Sequence, residues 1–214
     1  MTMQFEAALS ALPLIAVLRG IRTEEALAVG GALAGAGFTL IEATMNSPSP
    51  LATIEQLADE LGETLCVGAG TVLKVSEVDE VAAAGGRLIV SPNMAPAVIS
   101  RTRELGLISV PGVFTPTEAF AAIAAGAHAL KLFPAEAIAP NVVKAWQAVL
   151  PPEIPILVTG GVTAANLPDY LKAGARGAGL GSALYKVGKT PAAVAQAARG
   201  FHAAYHQAIA GSGG

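Results

Sequence analysis

Residues 115–133 read Thr-Pro-Thr-Glu-Ala-Phe-Ala-Ala-Ile-Ala-Ala-Gly-Ala-His-Ala-Leu-Lys-Leu-Phe. Thr115 and Glu118 form a capping box, and Pro116 takes the first helical position. A helix over Pro116–Ala125 then stops at Gly126, because glycine enters the left-handed conformation at a helix end without steric cost. The run that follows, Ala129–Phe133, is short and apolar, as a strand covered on both faces is.

The same unit recurs along the chain. Glycines that read as helix ends stand at Gly37, Gly62, Gly85, Gly106, Gly126 and Gly174, with separations of 25, 23, 21, 20 and 48 residues, the last about two units. The apolar runs are Leu14–Leu18, Phe38–Ala43, Leu65–Ala69, Leu88–Ser91, Leu107–Val110, Ala129–Phe133, Ile156–Thr159 and Ala178–Gly181. Helical stretches fill the gaps at Thr23–Ala36, Leu51–Leu61, Ser76–Ala84, Pro96–Leu105, Pro116–Ala125, Asn141–Leu150 and Ala164–Ala173, and a last one starts at Pro191 behind the cap Thr190. Strands alternating with helices make an α/β fold, either a (β/α)8 barrel or an open doubly wound sheet. A solenoid of 20–25-residue units ranks below both, because the leucine-rich signature is absent. No linker divides the chain, so residues 1–210 are expected to form one domain and 211–214 a flexible tail.

Composition narrows the class. Of 214 residues, 53% are hydrophobic and 14% charged, which is ample for a core and unlike a disordered chain. With 13 basic and 16 acidic residues, no Lys/Arg cluster and a net charge of −3, there is no footprint for nucleic acid. The longest charge-free stretch, Ala26–Ile41, has sixteen residues, short of the roughly 20 that a membrane span needs. The first basic residue is Arg19, so no leader with a charged start is expected. A single cysteine, Cys66, excludes an internal disulfide. The expectation is a cytoplasmic protein.

Polar groups at strand ends carry the chemistry, because barrels build their sites at the carboxyl ends of strands. Lys131 shares a face with Ala129 and Phe133, while Leu130 and Leu132 take the other. The other five lysines lie in loops or helices. A lysine inside an apolar strand is costly to bury charged, and desolvation frees its amine as a nucleophile for a Schiff base. The competing reading is an ammonium that snorkels to solvent. Glu42 closes the run Phe38–Ala43 as a buried general acid–base group, or as an ion-pair partner of Arg19. Arg19 itself is built to bind carboxylate or phosphate. Thr71 and the Ser91-Pro92-Asn93 turn are weaker candidates, equally readable as caps or turns. Thr159-Gly160-Gly161-Val162 and Gly179-Leu180-Gly181-Ser182 follow the last two strands, where barrels place phosphates on backbone N–H groups; tight turn packing is the alternative. His202 and His206 share a helical face but have no third ligand in view, so no metal site is expected.

Several segments resemble a known family. Ala16-Val17-Leu18-Arg19-Gly20, Ile41–Pro48, Gly68–Leu73, Leu130–Ala135 and the two glycine loops are similar, in order and over nearly the whole chain, to the 2-keto-3-deoxy-6-phosphogluconate and -phosphogalactonate aldolases. The resemblance implies a (β/α)8 TIM barrel and a class I aldolase, usually a homotrimer, with no metal or cofactor. It implies Lys131 as the Schiff-base residue and Glu42 as the acid–base residue. It places Arg19 and Thr71 on the pyruvate-derived end, with Asn46, Pro92, Phe133 and Thr159 as further substrate contacts. It places Gly160, Gly161, Val162, Gly181 and Ser182 around the phosphate of a sugar acid. Asn46 stands where the gluconate branch tends to carry arginine, and Gly177–Tyr185 looks like the galactonate branch. Thr159 is closer to the gluconate branch; the resemblance favours cleavage of 2-keto-3-deoxy-6-phosphogalactonate, with 2-keto-3-deoxy-6-phosphogluconate or 4-hydroxy-2-oxoglutarate as the alternative. A phosphosugar isomerase or synthase on the same barrel would need no strand lysine, and a sugar-phosphate binding protein would form no adduct.

Overall fold

The computed structural model describes residues 5–211. The elements are α1 (Phe5–Ala11), β1 (Leu14–Leu18), α2 (Thr23–Ala34), β2 (Leu40–Thr44), α3 (Pro50–Leu61), β3 (Cys66–Gly70), α4 (Val75–Ala83) and β4 (Leu88–Val90). They continue as α5 (Pro96–Glu104), β5 (Ile108–Val110), β6 (Gly112–Val113), α6 (Pro116–Ala124), β7 (Leu130–Leu132), a 3-10 turn (Ala135–Ala137) and α7 (Pro140–Gln147). The chain ends with β8 (Ile156–Thr159), α8 (Leu167–Lys172), β9 (Gly177–Leu180) and α9 (Pro191–Ala210).

The strands are parallel and run in the order β5-β4-β3-β2-β1-β9-β8-β7-β6. Pro111 separates β5 from β6, and proline has no N–H to give to a ladder. The fifth strand is therefore bent: its first half pairs with β4 and its second with β7. Lys131 N–H donates to the Pro111 carbonyl at 2.9 Å, and Phe133 N–H to Val113 at 3.1 Å, which brings the sheet round to a barrel. A barrel closed in this way is neither an open doubly wound sheet nor a solenoid.

Two apolar cores result. One lies between strands and helices and takes Leu130, Leu132, Ile41 and Ala43. The other fills the amino end of the barrel with Ile15, Leu40, Cys66, Leu88, Ala129 and Leu157. Phe5, Ala8 and Leu9 of α1 belong to this inner cluster, so α1 plugs the amino end, and Thr39 Oγ1 pins it by donating to the Ala8 carbonyl at 2.9 Å.

The structure corrects the sequence reading in several places. α1 was not anticipated, and α8 and several other helices are shorter than expected. Five of the helix-end glycines adopt positive φ, but Gly62 stays right-handed at −65°. There the α3 helix runs on into a turn, with Thr64 and Leu65 N–H both donating to the Leu61 carbonyl, so no left-handed residue is needed. β2 begins two residues later than the expected Phe38 and extends to Thr44. Of the expected tail, residues 212–214 lie outside the described residues.

Candidate active site

The carboxyl ends of the strands open into a cavity of about 710 Å³. Its lining includes Arg19, Lys131, Phe133, Thr159, Gly160, Gly161, Val162, Gly181 and Ser182. A much smaller cavity continues inward from Val17, Lys131 and Thr159 to Glu42, Ile15 and Leu157. Lys131 and Glu42 thus face each other inside the barrel. The inward face of β7 carries Lys131, as the strand periodicity requires, because Leu130 and Leu132 are committed to the outer core.

Lys131 is 6% exposed and Glu42 1%. Burial pushes the Lys131 amine below the ordinary lysine range; Glu42 opposes this and Arg19 reinforces it. Burial likewise pushes the Glu42 carboxyl up, against the pull of Lys131 and Arg19. Lys131 Nζ lies 4.9 Å from the centre of the Phe133 ring, an apolar wall with a weak attraction for cations. Glu42 Oε2 is buried with no hydrogen-bond partner among the described residues. Buried oxygens rarely stay unpaired, and at the floor of a cleft such an atom is placed to meet a ligand or a proton. Room for the carboxyl comes from Gly70: a Cβ there would stand 2.2 Å from Glu42 Oε1. A buried lysine of lowered proton affinity gives up its proton more readily to become a nucleophile toward a carbonyl, and a carboxyl of raised affinity for its proton can both give and take one.

The first three strand ends form one side of the mouth. Arg19 Nη1 donates to Asn46 Oδ1 at 3.2 Å, so the guanidinium meets Asn46 as well as the field of Glu42. The loops that carry them are tied by hydroxyls: Gly20 N–H donates to Ser47 Oγ at 2.8 Å, and Ser47 Oγ lies 2.9 Å from Thr44 Oγ1. Met45 N–H donates to the Gly70 carbonyl at 2.8 Å, joining the β3 end to the same cluster. The next residue, Thr71, has φ of +59°, a left-handed backbone that is strained for a β-branched side chain. Thr71, Asn46 and Pro92 lie outside the lining of the large cavity, and Asn46 connects to it through Arg19.

The last two strand ends form the opposite side. Gly160 and Gly161 have φ of +99° and +65°, conformations that favour glycine and expose the backbone to the cleft. Asn166 braces this loop, accepting from Thr163 N–H at 2.8 Å and donating to the Gly161 carbonyl at 3.0 Å. After β9, Leu184 and Tyr185 N–H both donate to the Gly181 carbonyl at 2.9 Å, folding Ser182 into a tight turn. Thr159 reaches inward because Gly179 beside it has no Cβ; one there would stand 2.5 Å from Thr159 Oγ1.

Glu136, Tyr185, Lys186 and Val187 are among the lining residues that sequence reasoning missed. They sit on loops beyond the strand ends, where no periodicity points inward. Among the described residues no group of three or more His, Cys, Asp or Glu side chains converges on a point.

The family model "KDPG and KHG aldolase" matches residues 5–196. The chain belongs to this aldolase family. It is 48% identical to the 2-dehydro-3-deoxy-6-phosphogalactonate aldolase of Escherichia coli strain K12, over 92% of this chain and 97% of that protein. Identity to the KHG/KDPG aldolase of the same organism is 32%, over 78% of each chain. The solved native KDPGal structure superposes with a TM-score of 0.93 at 46% identity, covering 98% of this chain and 100% of the other. The aldolase is thus a lyase on a single-domain barrel; Lys131 and the two glycine loops line the mouth where such barrels do their chemistry, and Glu42 lies just inside it.

Proposed function

We propose that this aldolase is a class I enzyme that cleaves 2-keto-3-deoxy-6-phosphogalactonate to pyruvate and glyceraldehyde 3-phosphate. The observation that carries the reading is Lys131: a buried amine of lowered proton affinity, facing a buried carboxyl and open to the cleft. The neutral amine attacks the C2 ketone, and loss of water gives an iminium. Glu42 takes the C4 hydroxyl proton, directly or through water. The C3–C4 bond breaks, its electrons pass into the iminium to give an enamine, and glyceraldehyde 3-phosphate leaves. Protonation at C3 and hydrolysis then release pyruvate and restore the amine.

Arg19 and Thr71 hold the pyruvyl carboxylate, with Pro92 and Phe133 as apolar walls. Asn46 and Thr159 meet the hydroxyl-bearing carbons. Gly160, Gly161, Val162, Gly181 and Ser182 take the phosphate. Asn46, a short neutral side chain bonded to Arg19, supports the galactonate epimer, as does the 48% identity to an aldolase named for it. The gluconate epimer is the second reading, favoured by the inward Thr159 hydroxyl. The enzyme works as a homotrimer in the cytoplasm. Exposed Phe114 and Phe120, each 47% accessible, support association with further copies, and among the described residues no helix is long and apolar enough to cross a membrane.

Incubation with pyruvate and borohydride tests the reading. It expects one stable adduct, on the peptide containing Lys131. An adduct on another lysine, or none, overturns the mechanism.

A further inference from the structure

Among the described residues, the charged groups that line the large cavity are Arg19, Lys131, Lys186 and Glu136. Two of the three cations are committed elsewhere. Arg19 donates to Asn46 on the β1–β2 side of the mouth. Lys131 is at the floor, where it shares the inner cavity with Glu42. The glycine loops on the opposite side supply only neutral donors, backbone N–H groups and the Ser182 hydroxyl. Glu136 packs directly on one of them: a Cβ added to Gly161 would stand 2.7 Å from Glu136 Cβ and 2.9 Å from its Oε2. A phosphate dianion on that loop therefore lies near a carboxylate, and like charges at such range repel unless a cation intervenes.

We propose that Lys186 is this cation: it neutralises the substrate phosphate against Glu136 and thereby sets the preference for phosphorylated over unphosphorylated sugar acids. The inference rests on the reading of the glycine loops as the phosphate site. Lys186 follows Ser182 on the same loop and lines the same cavity as Gly161 and Ser182. Among the described residues no ion pair or hydrogen bond engages its ammonium, which leaves it free for a ligand. The loop around it is anchored on both sides. Buried Tyr185 donates its N–H to the Gly181 carbonyl, and Lys189 Nζ donates to the Ala183 and Leu184 carbonyls at 3.2 and 2.7 Å. Lys189 is thus spent on holding the loop, while Lys186 is presented to solvent at the cavity rim. A lysine ammonium serves phosphate as a point charge, needing no fixed geometry, and suits a rim position.

The test compares kcat/KM for 2-keto-3-deoxy-6-phosphogalactonate and for the same sugar acid without its phosphate, in wild type, Lys186→Gln and Lys186→Arg. Wild type is expected to prefer the phosphorylated substrate. Lys186→Gln should lower that ratio about tenfold, through KM, while Lys186→Arg should hold it near the wild-type value. Inorganic phosphate, as inhibitor of the unphosphorylated reaction, should bind Lys186→Gln about tenfold more weakly, with a shallower dependence on salt. A ratio and an inhibition constant unchanged in Lys186→Gln overturn the assignment and leave the loops as sole phosphate ligands. A wild type with no preference for the phosphorylated substrate overturns the phosphate reading of the loops themselves.

Discussion

The two ends of the barrel interior each bury a titratable side chain, with opposite results. At the amino end Cys66 is 2% exposed among Phe5, Leu9, Leu40 and Leu88, and burial pushes its thiol up to about 12. Arg87 pulls it down and Glu6 pushes it up, and α1 covers that end. At the carboxyl end Lys131 is 6% exposed, but it faces Glu42 and its cavity opens into the cleft. Desolvation without an open path thus silences a group; desolvation with an opposite charge and an open path makes one reactive. The sharpest way to break the comparison is to change both residues. Lys131→Arg should abolish turnover, since a guanidinium stays protonated and cannot add to a ketone. Cys66→Ala should leave turnover intact. Steady-state cleavage assays on both variants check this, and full activity in Lys131→Arg would equate the two ends.

The pair at the carboxyl end is sharpened by Glu42→Gln. This variant should fold and still trap pyruvate, yet cleave roughly 10²- to 10⁴-fold more slowly, the usual contribution of a positioned acid–base group. A second signature lies in stability. The folded state raises the Glu42 proton affinity, so this carboxyl contributes its full stability below the ordinary glutamate value of 4.5, and that contribution is lost as pH rises through the raised folded value. Lys131 has the opposite sign: its folded proton affinity is lowered, so its contribution is present above 10.5 and lost as pH falls. Glutamine cannot ionise. The stability of Glu42→Gln relative to wild type should therefore climb with pH above 4.5. Urea unfolding at pH 5 and pH 8 measures it, and a gap that shrinks with pH would refute the buried, proton-holding carboxyl.

What the sequence made legible follows the same division. The strands were readable because a run covered on both faces is apolar without alternation, and Lys131 and Glu42 stood out as interruptions of such runs. The inward direction of Lys131 followed from period-two geometry and agrees with Leu130 and Leu132 in the outer core. The glycine loops were readable because glycine has few reasons to cluster after a strand. α1 was not legible: at seven residues it is too short for periodicity to identify, and its burial depends on the barrel it plugs. The bend of the fifth strand at Pro111 read as a strand end, because the local signal of proline is the same in both cases. Glu136 and Lys186 reach the cleft through loop conformation, which depends on contacts such as Lys189 Nζ with the Leu184 carbonyl. Thr71 was visible as a residue, but its left-handed backbone was not.

The two sides of the mouth can be separated by a change on the glycine side. Gly161 has φ of +65°, and a side chain there meets Glu136. Gly161→Val should raise KM for the phosphorylated substrate roughly 5- to 150-fold, matching about 1–3 kcal/mol of strain and lost backbone approach. The unphosphorylated sugar acid should lose much less. Parallel kinetics on both substrates decide it; equal losses would mean that Gly161 serves turn geometry alone.

The smallest effect compares Asn46 with Thr159, on opposite sides of the mouth. Asn46 is neutral, short and bonded to Arg19, so it leaves one pattern of donors and acceptors for the hydroxyl-bearing carbons. Thr159 is 8% exposed and lines the same inner cavity as Lys131. The two sugar acids differ in configuration at C4, so a pocket matched to one epimer leaves a polar group unpaired with the other. One such group costs about 1–3 kcal/mol, or roughly 5- to 150-fold in kcat/KM. Because Thr159 can satisfy the hydroxyl of the gluconate epimer in part, the galactonate preference should sit at the low end, about fivefold. Thr159→Val removes that hydroxyl while keeping the shape, and should widen the preference toward the upper part of the range. Steady-state kinetics on both epimers with wild type and Thr159→Val measure both quantities. A tenfold wild-type preference for the gluconate epimer, lost in Thr159→Val, would show that the threonine side of the mouth outweighs the asparagine side and that the branch is the other one.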